Sequence, residues 1–161
     1  MKAPSIELVS MTEKECLAFL ENNIVRYAEE NVRAGYWNAA EAQEKSRRDH
    51  HKLLPQGIAT KNHFLFNIVT REVRKTIGTI WLALKPEDSS TLSGFIYDLY
   101  IDETSRRKGY AMQAMHAVEH KARELGAHTL YLHVFGHNAA AQALYSKLGY
   151  ATTSLNMGKK L

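Results

Sequence analysis

The feature that most constrains the fold of this chain is a strand, a basic turn and an amphipathic helix in direct succession. Residues 94–101, "GFIYDLYI", are almost continuously apolar, as expected of a strand covered on both faces. After the turn "RRKGYA" at 106–111, apolar residues recur at helical spacing until Gly126. Because such a helix buries its apolar stripe against a sheet, the segment predicts layers of strands and helices.

The first 60 residues predict one strand and two helices. A short strand at 5–9 precedes a helix that a capping box of Thr12 and Glu15 opens. Asn38 caps a second helix, and Pro55 follows its end.

The rest of the chain predicts further strands around the central helix. Segments 63–70 and 75–84 are rich in β-branched and aromatic residues, which indicates a hairpin. A strand at 128–135, a short helix capped by Asn138 and a final strand at 150–157 follow. The order β-α-α-β-β-β-α-β-α-β predicts a mixed α/β (α+β) fold, with a central mixed sheet and helices on both faces.

Length and composition favour one domain over residues 1–161. No apolar run approaches the roughly 20 residues that span a bilayer, and the first residues lack the apolar core of a secretion signal. Cys16 is the only cysteine, which excludes an intrachain disulfide and fits a reducing compartment. We therefore expect a cytoplasmic protein with no membrane partner.

The net charge of +4 raises the question of a nucleic-acid partner. However, the lysines and arginines are scattered, and no helix-turn-helix or zinc-finger spacing separates them. The sequence therefore favours a function without nucleic acid.

The basic turn has the composition of a diphosphate site. Gly109 lies at or beside a helix N-terminus, where backbone N–H groups lack helical partners and carry the positive end of the dipole. Glycine lets the backbone approach phosphates closely, and Ala111 avoids crowding. Arg106, Arg107 and Lys108 add positive charge. A solvated cationic loop is the alternative, so the turn alone does not decide the function.

The surroundings of the turn favour the diphosphate interpretation. The pattern Arg106-x-x-Gly109-x-Ala111, preceded by "DLYI" and followed by "NAAAQALYSKLGY", resembles the GNAT superfamily of acetyl-CoA-dependent N-acetyltransferases. The resemblance runs from about 94 to 150 and implies a single-domain GNAT-like fold. In that family the turn holds the pyrophosphate of coenzyme A. The implied turn residues are Arg106, Arg107, Lys108, Gly109, Tyr110 and Ala111.

The resemblance also implies roles along the rest of the coenzyme. The backbone of Leu99, Tyr100 and Ile101 would pair with the pantetheine arm as an added strand does. Asn138 would bind the pantetheine amide or the backbone nearby, and a simple helix cap is the alternative. The phenol of Tyr145 would protonate the departing thiolate, with an ordinary half-buried tyrosine as the alternative.

The sequence offers three candidates for the general base. An amine acceptor is protonated at neutral pH and must lose a proton before it attacks the thioester. Asp98 is the first candidate, His133 the second and Tyr97 the third. Asp98 as a structural acid and His133 as a packed ring are the alternatives.

The implied activity is direct transfer of the acetyl group to a primary amine through a ternary complex, because Cys16 lacks the setting of a nucleophile. A non-catalytic acyl-CoA sensor or scaffold of the same fold is the alternative. The partners are acetyl-CoA and an amine-bearing acceptor, either a small molecule or a peptide, whose identity the sequence leaves open. Its wall would lie on the first two helices and the strands beyond them. Whether the chain forms a homodimer is also left open. Those wall residues are Tyr27, Glu29, Glu30, Tyr36 and Trp37.

A zinc site competes weakly with this interpretation. The segment "HAVEH" at 116–120 matches the H-x-x-E-H form of inverted zinc peptidases. The pattern borders the apolar stripe of the helix that begins at the basic turn, and no motif for a third zinc ligand follows it. We therefore expect no metal. The neighbouring histidines in "DHH" at 49–51 indicate a polar helix face.

Overall fold

The computed structural model describes residues 5–87, 91–159 and 161. The strands are β1, Ile6–Ser10; β2, His63–Thr70; β3, Thr76–Pro86; β4, Leu92–Ile101; and β5, Ala127–Leu132. The helices are α1, Glu13–Arg33; α2, Ala39–Leu53; α3, Tyr110–Glu124; and α4, Ala139–Lys147. Within the described ranges, no helix is both long and apolar enough to cross a membrane.

Helix boundaries follow the predicted capping residues. The hydroxyl of Thr12 accepts the backbone N–H of Glu15, whose carboxylate accepts the backbone N–H of Thr12 at 2.7 Å. This capping box begins α1. The side-chain oxygens of Asn38 and Asn138 accept backbone N–H groups at the starts of α2 and α4. All three caps are confirmed.

The five strands form one sheet in the order β1-β2-β3-β4-β5. The pairs β1–β2, β2–β3 and β3–β4 are antiparallel, and the pair β4–β5 is parallel. The parallel pair requires a crossover, which α3 provides between β4 and β5. The predicted mixed sheet is therefore confirmed.

Alternate residues of β3 build the two faces of the sheet. Ile80 and Leu82 join a core cluster with Met115 of α3 on one face. Trp81 lies on the opposite face, where its ring meets that of Phe19 of α1 with centroids 6.1 Å apart. Helices therefore cover both faces, which confirms the predicted fold class.

Two predicted strands near the end of the fold are wrong in part or in whole. The strand predicted at 128–135 ends at Leu132, because its partner β4 diverges there. The segment predicted as a strand at 150–157 is not one, and residues 151–159 are exposed and form no helix or strand. An extended segment needs a neighbouring strand for its ladder hydrogen bonds, and this segment pairs with none among the described residues.

The divergence of β4 and β5 begins at a β-bulge. Ile96 and Asp98 lie opposite consecutive residues of β3, so Tyr97 is the extra residue on β4. The parallel ladder ends at the pair Ile96 and Leu132. Beyond that pair, the edge of β4 that faced β5 has no strand partner in the described part of the chain, and the sheet opens.

Candidate active site

A cleft of about 700 Å³ lies where β4 and β5 separate. The free half of β4 lines it, together with the residues after β5, the start of α4, and the facing sides of α1 and α2. Nine of the residues predicted to bind or catalyse line the cleft: Tyr97, Asp98, Leu99, Tyr100, Ile101, Arg106, His133, Asn138 and Tyr145. Side chains from distant parts of the sequence therefore meet at one concave surface, as active-site residues do.

The other five predicted residues lie outside the cleft lining, along the turn that follows Arg106. They are Arg107, Lys108, Gly109, Tyr110 and Ala111. Gly109 is the N-cap of α3 with φ +80°, and the first helical bond runs from the N–H of Gln113 to the Gly109 carbonyl at 3.2 Å. The N–H groups from Gly109 to Met112 precede that bond, so they form the donor array expected for an anion.

The requirement for glycine at 109 is conformational. A Cβ atom at this position would meet no protein atom within 4 Å, whereas φ +80° is a conformation that other residues rarely adopt. Arg107 also has a positive φ, of 62°. Two of the three residues from 107 to 109 therefore have a positive φ.

The cations of the turn are held by backbone carbonyls. Arg106 donates through Nε to the carbonyl of Ile101 at 2.9 Å, and its guanidinium lies 5.5 Å from the ring centre of Tyr100. Lys108 Nζ donates to the carbonyl of Thr104 at 3.1 Å. Arg106 thus links the basic turn to the end of β4, where the cleft begins.

The carboxyl of Asp98 faces the cleft and has one cationic neighbour. Arg26 of α1 lies 3.2 Å from its Oδ2, and the Asp98 side chain is only 15% exposed. Burial raises the pKa of Asp98, while Arg26 and a hydrogen bond from Asn23 partly offset that increase. Asp98 is therefore a stronger base than an exposed aspartate.

A buried polar network connects Asp98 to α2. His50 lies between Ser46 and Asn23: its Nδ1 is 2.8 Å from the Ser46 carbonyl, and its Nε2 is 2.6 Å from Oδ1 of Asn23. Burial lowers the pKa of His50, which favours a neutral ring. The Ser46 carbonyl and Oδ1 of Asn23 are both acceptors, so a neutral ring with a single N–H can donate to only one of them. Asn23 bridges the His50 ring and the Asp98 carboxyl.

Sequence reasoning missed this network. The interpretation of residues 49–51 as a polar helix face is wrong for His50, which is 6% exposed. A usable signal exists in α1, because Asn23, Arg26 and Glu30 recur at helical spacing on a face directed at the sheet.

Tyr145 lies on α4 and lines the cleft. Its ring packs against the main core and meets Tyr150 edge to face, with centroids 5.8 Å apart. Burial, and secondarily the charge of Asp98, raises the pKa of Tyr145 to about 12. The phenol is therefore protonated at neutral pH and can donate a proton or a hydrogen bond.

The other predicted polar residues occupy more open positions. His133 lies beyond the end of β5, is exposed, and its ring meets Phe135 edge to face at 5.0 Å. Asn138 uses its Oδ1 to accept the N–H of Ala141 at 3.1 Å, so its capping role is observed. The pantetheine role of Asn138 stays a prediction.

The side of the cleft formed by α1 and α2, where the acceptor is expected, combines aromatic rings and carboxylates. Of the predicted wall residues, Tyr27, Glu29 and Glu30 line the cleft. Tyr36 and Trp37 do not line it, but their rings contact those of the lining residues Phe135 and Tyr27. Further lining residues that the sequence did not reveal are Asn23, Arg26, Arg33, Asp49, His50, Phe135 and His137.

The competing chemistries find no support in the geometry. His116 and His120 are exposed on α3, and Glu119 between them accepts the hydroxyl of Tyr150 at 3.1 Å. The residues described contain no group of three or more His, Cys, Asp or Glu placed to hold a metal ion. Cys16 is 2% exposed in the core cluster around Trp81, and burial raises its thiol pKa.

The sequence resembles known acetyltransferases along nearly its whole length. Residues 28–150 match the profile of a family described as "Acetyltransferase (GNAT) family". YdgE of Bacillus subtilis (strain 168), described as an uncharacterized N-acetyltransferase, is 39% identical over 154 residues, which cover 96% of this chain and 97% of YdgE. YycN of the same organism, described in the same words, is 38% identical over 157 residues, which cover 98% of this chain and 99% of YycN.

Solved structures share the fold. The crystal structure of YycN aligns with a TM-score of 0.91 at 38% identity, over 97% of this chain and 98% of that one. A GCN5-related N-acetyltransferase from Ralstonia eutropha JMP134 aligns with a TM-score of 0.70 at 20% identity, over 97% of this chain and 98% of that one.

Proposed function

The chain belongs to the acetyltransferase (GNAT) family, and we propose that it transfers the acetyl group of acetyl-CoA directly to a primary amine within a ternary complex. Family membership makes the protein an acetyltransferase. The proposal concerns the catalytic residues, the direct transfer of the acetyl group and the class of acceptor. The observation that carries it is that a buried carboxyl and a protonated phenol face the same cleft as an unpaired strand edge.

The coenzyme would bind from the basic turn to the free edge of β4. The N–H groups at the start of α3 and the charges of Arg106, Arg107 and Lys108 suit a pyrophosphate. The backbone of Leu99–Ile101 lies where an amide-bearing arm could pair as a strand does. The thioester would then lie in the cleft between Asp98 and Tyr145.

Asp98 would accept the proton of the acceptor ammonium, directly or through water. The amine lone pair then attacks the thioester carbonyl carbon, and the carbonyl π electrons move to oxygen. A raised pKa makes Asp98 a better base for an amine than an ordinary aspartate. His133, exposed on the same cleft, is the second candidate.

Tyr145 would act at collapse of the tetrahedral intermediate. The carbonyl re-forms, the carbon–sulfur bond breaks with its electron pair on sulfur, and the phenol protonates that sulfur. The nitrogen then releases its remaining extra proton, through water, to the phenolate of Tyr145, which restores the phenol. The products are an acetamide and the free thiol of coenzyme A. No step in this sequence requires a metal ion.

The acceptor is proposed to be a cationic amine. Glu29, Glu30 and Asp49 place carboxylates along the acceptor side, and Tyr27 adds an aromatic face that a cation can approach. Arg26 is paired with Asp98 and lies 4.0 Å from the ring centre of Tyr100, while Glu30 is paired with His137, so a cationic amine would share or replace the Glu30–His137 contact.

Two measurements test the function. Acetyl-CoA should raise the melting temperature of the protein, as any ligand of the native state does. A panel of amines with acetyl-CoA should identify an acceptor that releases free thiol. Binding without thiol release for any amine would instead indicate the sensor or scaffold, and no thermal shift at saturating acetyl-CoA would contradict the proposal.

Gly109→Val should abolish the thermal shift, because a branched side chain would fill the space before the N–H groups of α3. Gly35→Val is the matched control. Gly35 has φ +78° and open surroundings like Gly109, so both changes carry similar backbone strain of about 1–2 kcal/mol. Only the change at 109 should remove the response to acetyl-CoA.

A further inference from the structure

Three polar side chains lie buried between α1 and α2: Asn23, Ser46 and His50. Helices usually pack through apolar side chains, and a buried polar group costs free energy unless its hydrogen bonds are made. The hydroxyl of Ser46 is satisfied locally, because it donates to the carbonyl of Ile24 at 2.7 Å. The contacts of Asn23 and His50 lead instead to the carboxyl of Asp98.

Asp98 is contacted by two side chains of α1 that lie three residues apart, on one face of the helix. Arg26 can only donate hydrogen bonds, so its contact with the carboxyl has one possible direction. Asn23 bonds the same carboxyl through an amide that has a donating end and an accepting end. Only the donating end stabilises an ionised carboxyl. The orientation of the Asn23 amide therefore decides whether this contact favours the ionised form of Asp98.

His50 is placed to fix that orientation. Its Nε2 lies 2.6 Å from Oδ1 of Asn23. The rings of Tyr27 and Trp81 pack near it, with centroids 5.7 and 6.0 Å from that of His50, and restrict its rotation. With a proton on Nε2, the ring donates to Oδ1, and the amide N–H groups of Asn23 are left for Asp98. Without that proton, Nε2 accepts from the amide, and Oδ1 faces the carboxyl.

The hydrogen bonds around the ring favour a proton on Nε2. The other ring nitrogen, Nδ1, lies 2.8 Å from the Ser46 carbonyl. Inside α2 this carbonyl already has a helical donor, the backbone N–H of His50 four residues further on. Oδ1 of Asn23 has no donor other than His50 in the part of the chain that the structure describes. A proton on Nε2 therefore serves an acceptor that is otherwise unpaired.

We propose that His50 is a positioning residue for the base: an N–H at Nε2 holds Oδ1 of Asn23, so that the Asn23 amide donates to Asp98 and keeps its carboxyl ionised. His50 acts through Asn23 and does not itself take the proton of the acceptor. The inference rests on the proposed function only in naming Asp98 as the base.

Other charged groups also face the two titrating residues. Asp98 on β4, Arg26 on α1 and Asp49 on α2 face His50. Arg26 and His50 face Asp98, and the phenol of Tyr145 on α4 is close enough to respond to its charge. A variant at position 50 leaves the remaining groups in place. A neutral donor at that position therefore separates the hydrogen bond from any charge on the ring.

Titration of Asp98 by carboxyl ¹³C NMR, without substrates, tests the contact. His50→Leu should raise the pKa of Asp98, because the Asn23 amide is no longer held with its N–H groups towards the carboxyl. His50→Gln should remain close to the parent, since its amide N–H can replace Nε2 as the donor. His51→Leu is the control, because His51 is exposed and does not line the cleft. An unmoved pKa in His50→Leu, or equal increases in the Leu and Gln variants, would overturn the proposal.

The position of the proton can be measured in the parent protein, which decides the question even if His50→Leu does not fold. Side-chain ¹⁵N shifts of His50 should show an N–H at Nε2, on a neutral or a doubly protonated ring. A ring protonated at Nδ1 alone would overturn the proposal. Asn23→Leu should raise the pKa of Asp98 as His50→Leu does, and the double variant N23L/H50L should raise it no further. Additive increases would show that the two residues act independently.

Kinetics separates this inference from the proposed function. A raised pKa moves the acid limb of kcat to higher pH, so on that limb kcat of His50→Leu should fall about tenfold, as for loss of one hydrogen bond to a charged group. The KM for acetyl-CoA should not change, and His50→Gln should restore kcat. If the titration of Asp98 moves and the acid limb does not, Asp98 is not the base, although His50 still positions it. Retention of the acetyl-CoA thermal shift shows that the variants are folded.

Discussion

At the scale of single residues, the cleft pairs two acidic groups whose surroundings favour different protonation states. Burial raises the pKa of both Asp98 and Tyr145, and the charge of Asp98 further disfavours ionisation of the phenol. Arg26 stabilises the carboxylate at 3.2 Å. An ionised Asp98 beside a neutral Tyr145 is therefore the favoured combination, and it is the one that a base and an acid require.

Tyr145→Phe should reduce kcat by about 100-fold, the lower end of general acid catalysis, because a thiolate is a tolerable leaving group. The affinity for acetyl-CoA should change little, since the ring is retained. Tyr150→Phe is the matched control: its ring touches that of Tyr145, but its hydroxyl bonds Glu119 and it does not line the cleft.

Steady-state kinetics with an acceptor for which chemistry is rate-limiting provides the comparison. Equal turnover in the parent and Tyr145→Phe would leave Tyr145 as a packing residue. A pKa near 12 also means that the phenol stays protonated through pH 10, so an alkaline decline in activity below that pH must come from another group.

Arg26→Gln should move the acid limb of the kcat profile to higher pH. A general base works only when deprotonated, so activity falls as pH decreases through the pKa of Asp98. The Arg26 cation lowers that pKa, and its removal leaves the effect of burial uncompensated. Arg47→Gln, which removes an exposed partner of Glu21, should leave the limb in place. An unmoved limb in Arg26→Gln would remove Asp98 as the titrating base.

At the scale of secondary-structure elements, β4 supplies both the carboxyl proposed as the base and the free strand edge. The bulge at Tyr97 shifts the register of β4 against β3 immediately before Asp98, at the point where β5 departs. The bulge therefore lies where the cleft opens, next to the residues of β4 proposed to act in it. Such a bulge has no reliable sequence signal, because it depends on pairing between strands.

Contacts between residues close in sequence were predictable, whereas contacts between residues far apart in sequence were not. Caps such as Thr12 and Asn38 were predictable because their partners lie within three residues. The Asn23–His50 contact joins residues 27 apart, so only the packing of α1 on α2 reveals it. The strand expected at 150–157 failed for a related reason: its alternation is present, but a strand also needs a partner edge.

Gly78→Ala should disturb the half of β4 that is proposed to bind the coenzyme. Gly78 lies opposite Ile101, and a Cβ atom there would fall 2.1 Å from the backbone oxygen of Tyr100. The strands must separate locally, with a loss of stability of about 1–3 kcal/mol as for other overpacked sites. We also expect a higher KM for acetyl-CoA, because the edge at Leu99–Ile101 would shift.

Gly136→Ala is the control for this change, since a Cβ atom there meets nothing within 4 Å and its φ is not positive. Chemical denaturation and the acetyl-CoA dependence of turnover measure both effects. A Gly78→Ala protein with parental stability and KM would show that the two strands tolerate the extra atom without moving β4.

At the scale of the whole molecule, the sheet divides the chain into two functional sides that meet at the cleft. Residues after β4 supply the basic turn and Tyr145, whereas α1 and α2 supply the carboxylates and rings of the acceptor side. Both substrates would therefore approach one opening from different elements. Cys16 lies in the core between α1 and the sheet, and it does not line that opening.

This arrangement predicts sequential kinetics without a covalent acetyl-enzyme. Cys16 is 2% exposed and burial raises the pKa of its thiol, so it is neither accessible nor ionised enough to accept an acetyl group. Cys16→Ala should keep parental kcat while costing about 1 kcal/mol of stability through the small cavity it leaves. Initial rates with both substrates varied should give intersecting reciprocal plots. Parallel plots, or acetylated protein isolated after acetyl-CoA treatment without acceptor, would instead require a nucleophile on the enzyme and would contradict direct transfer.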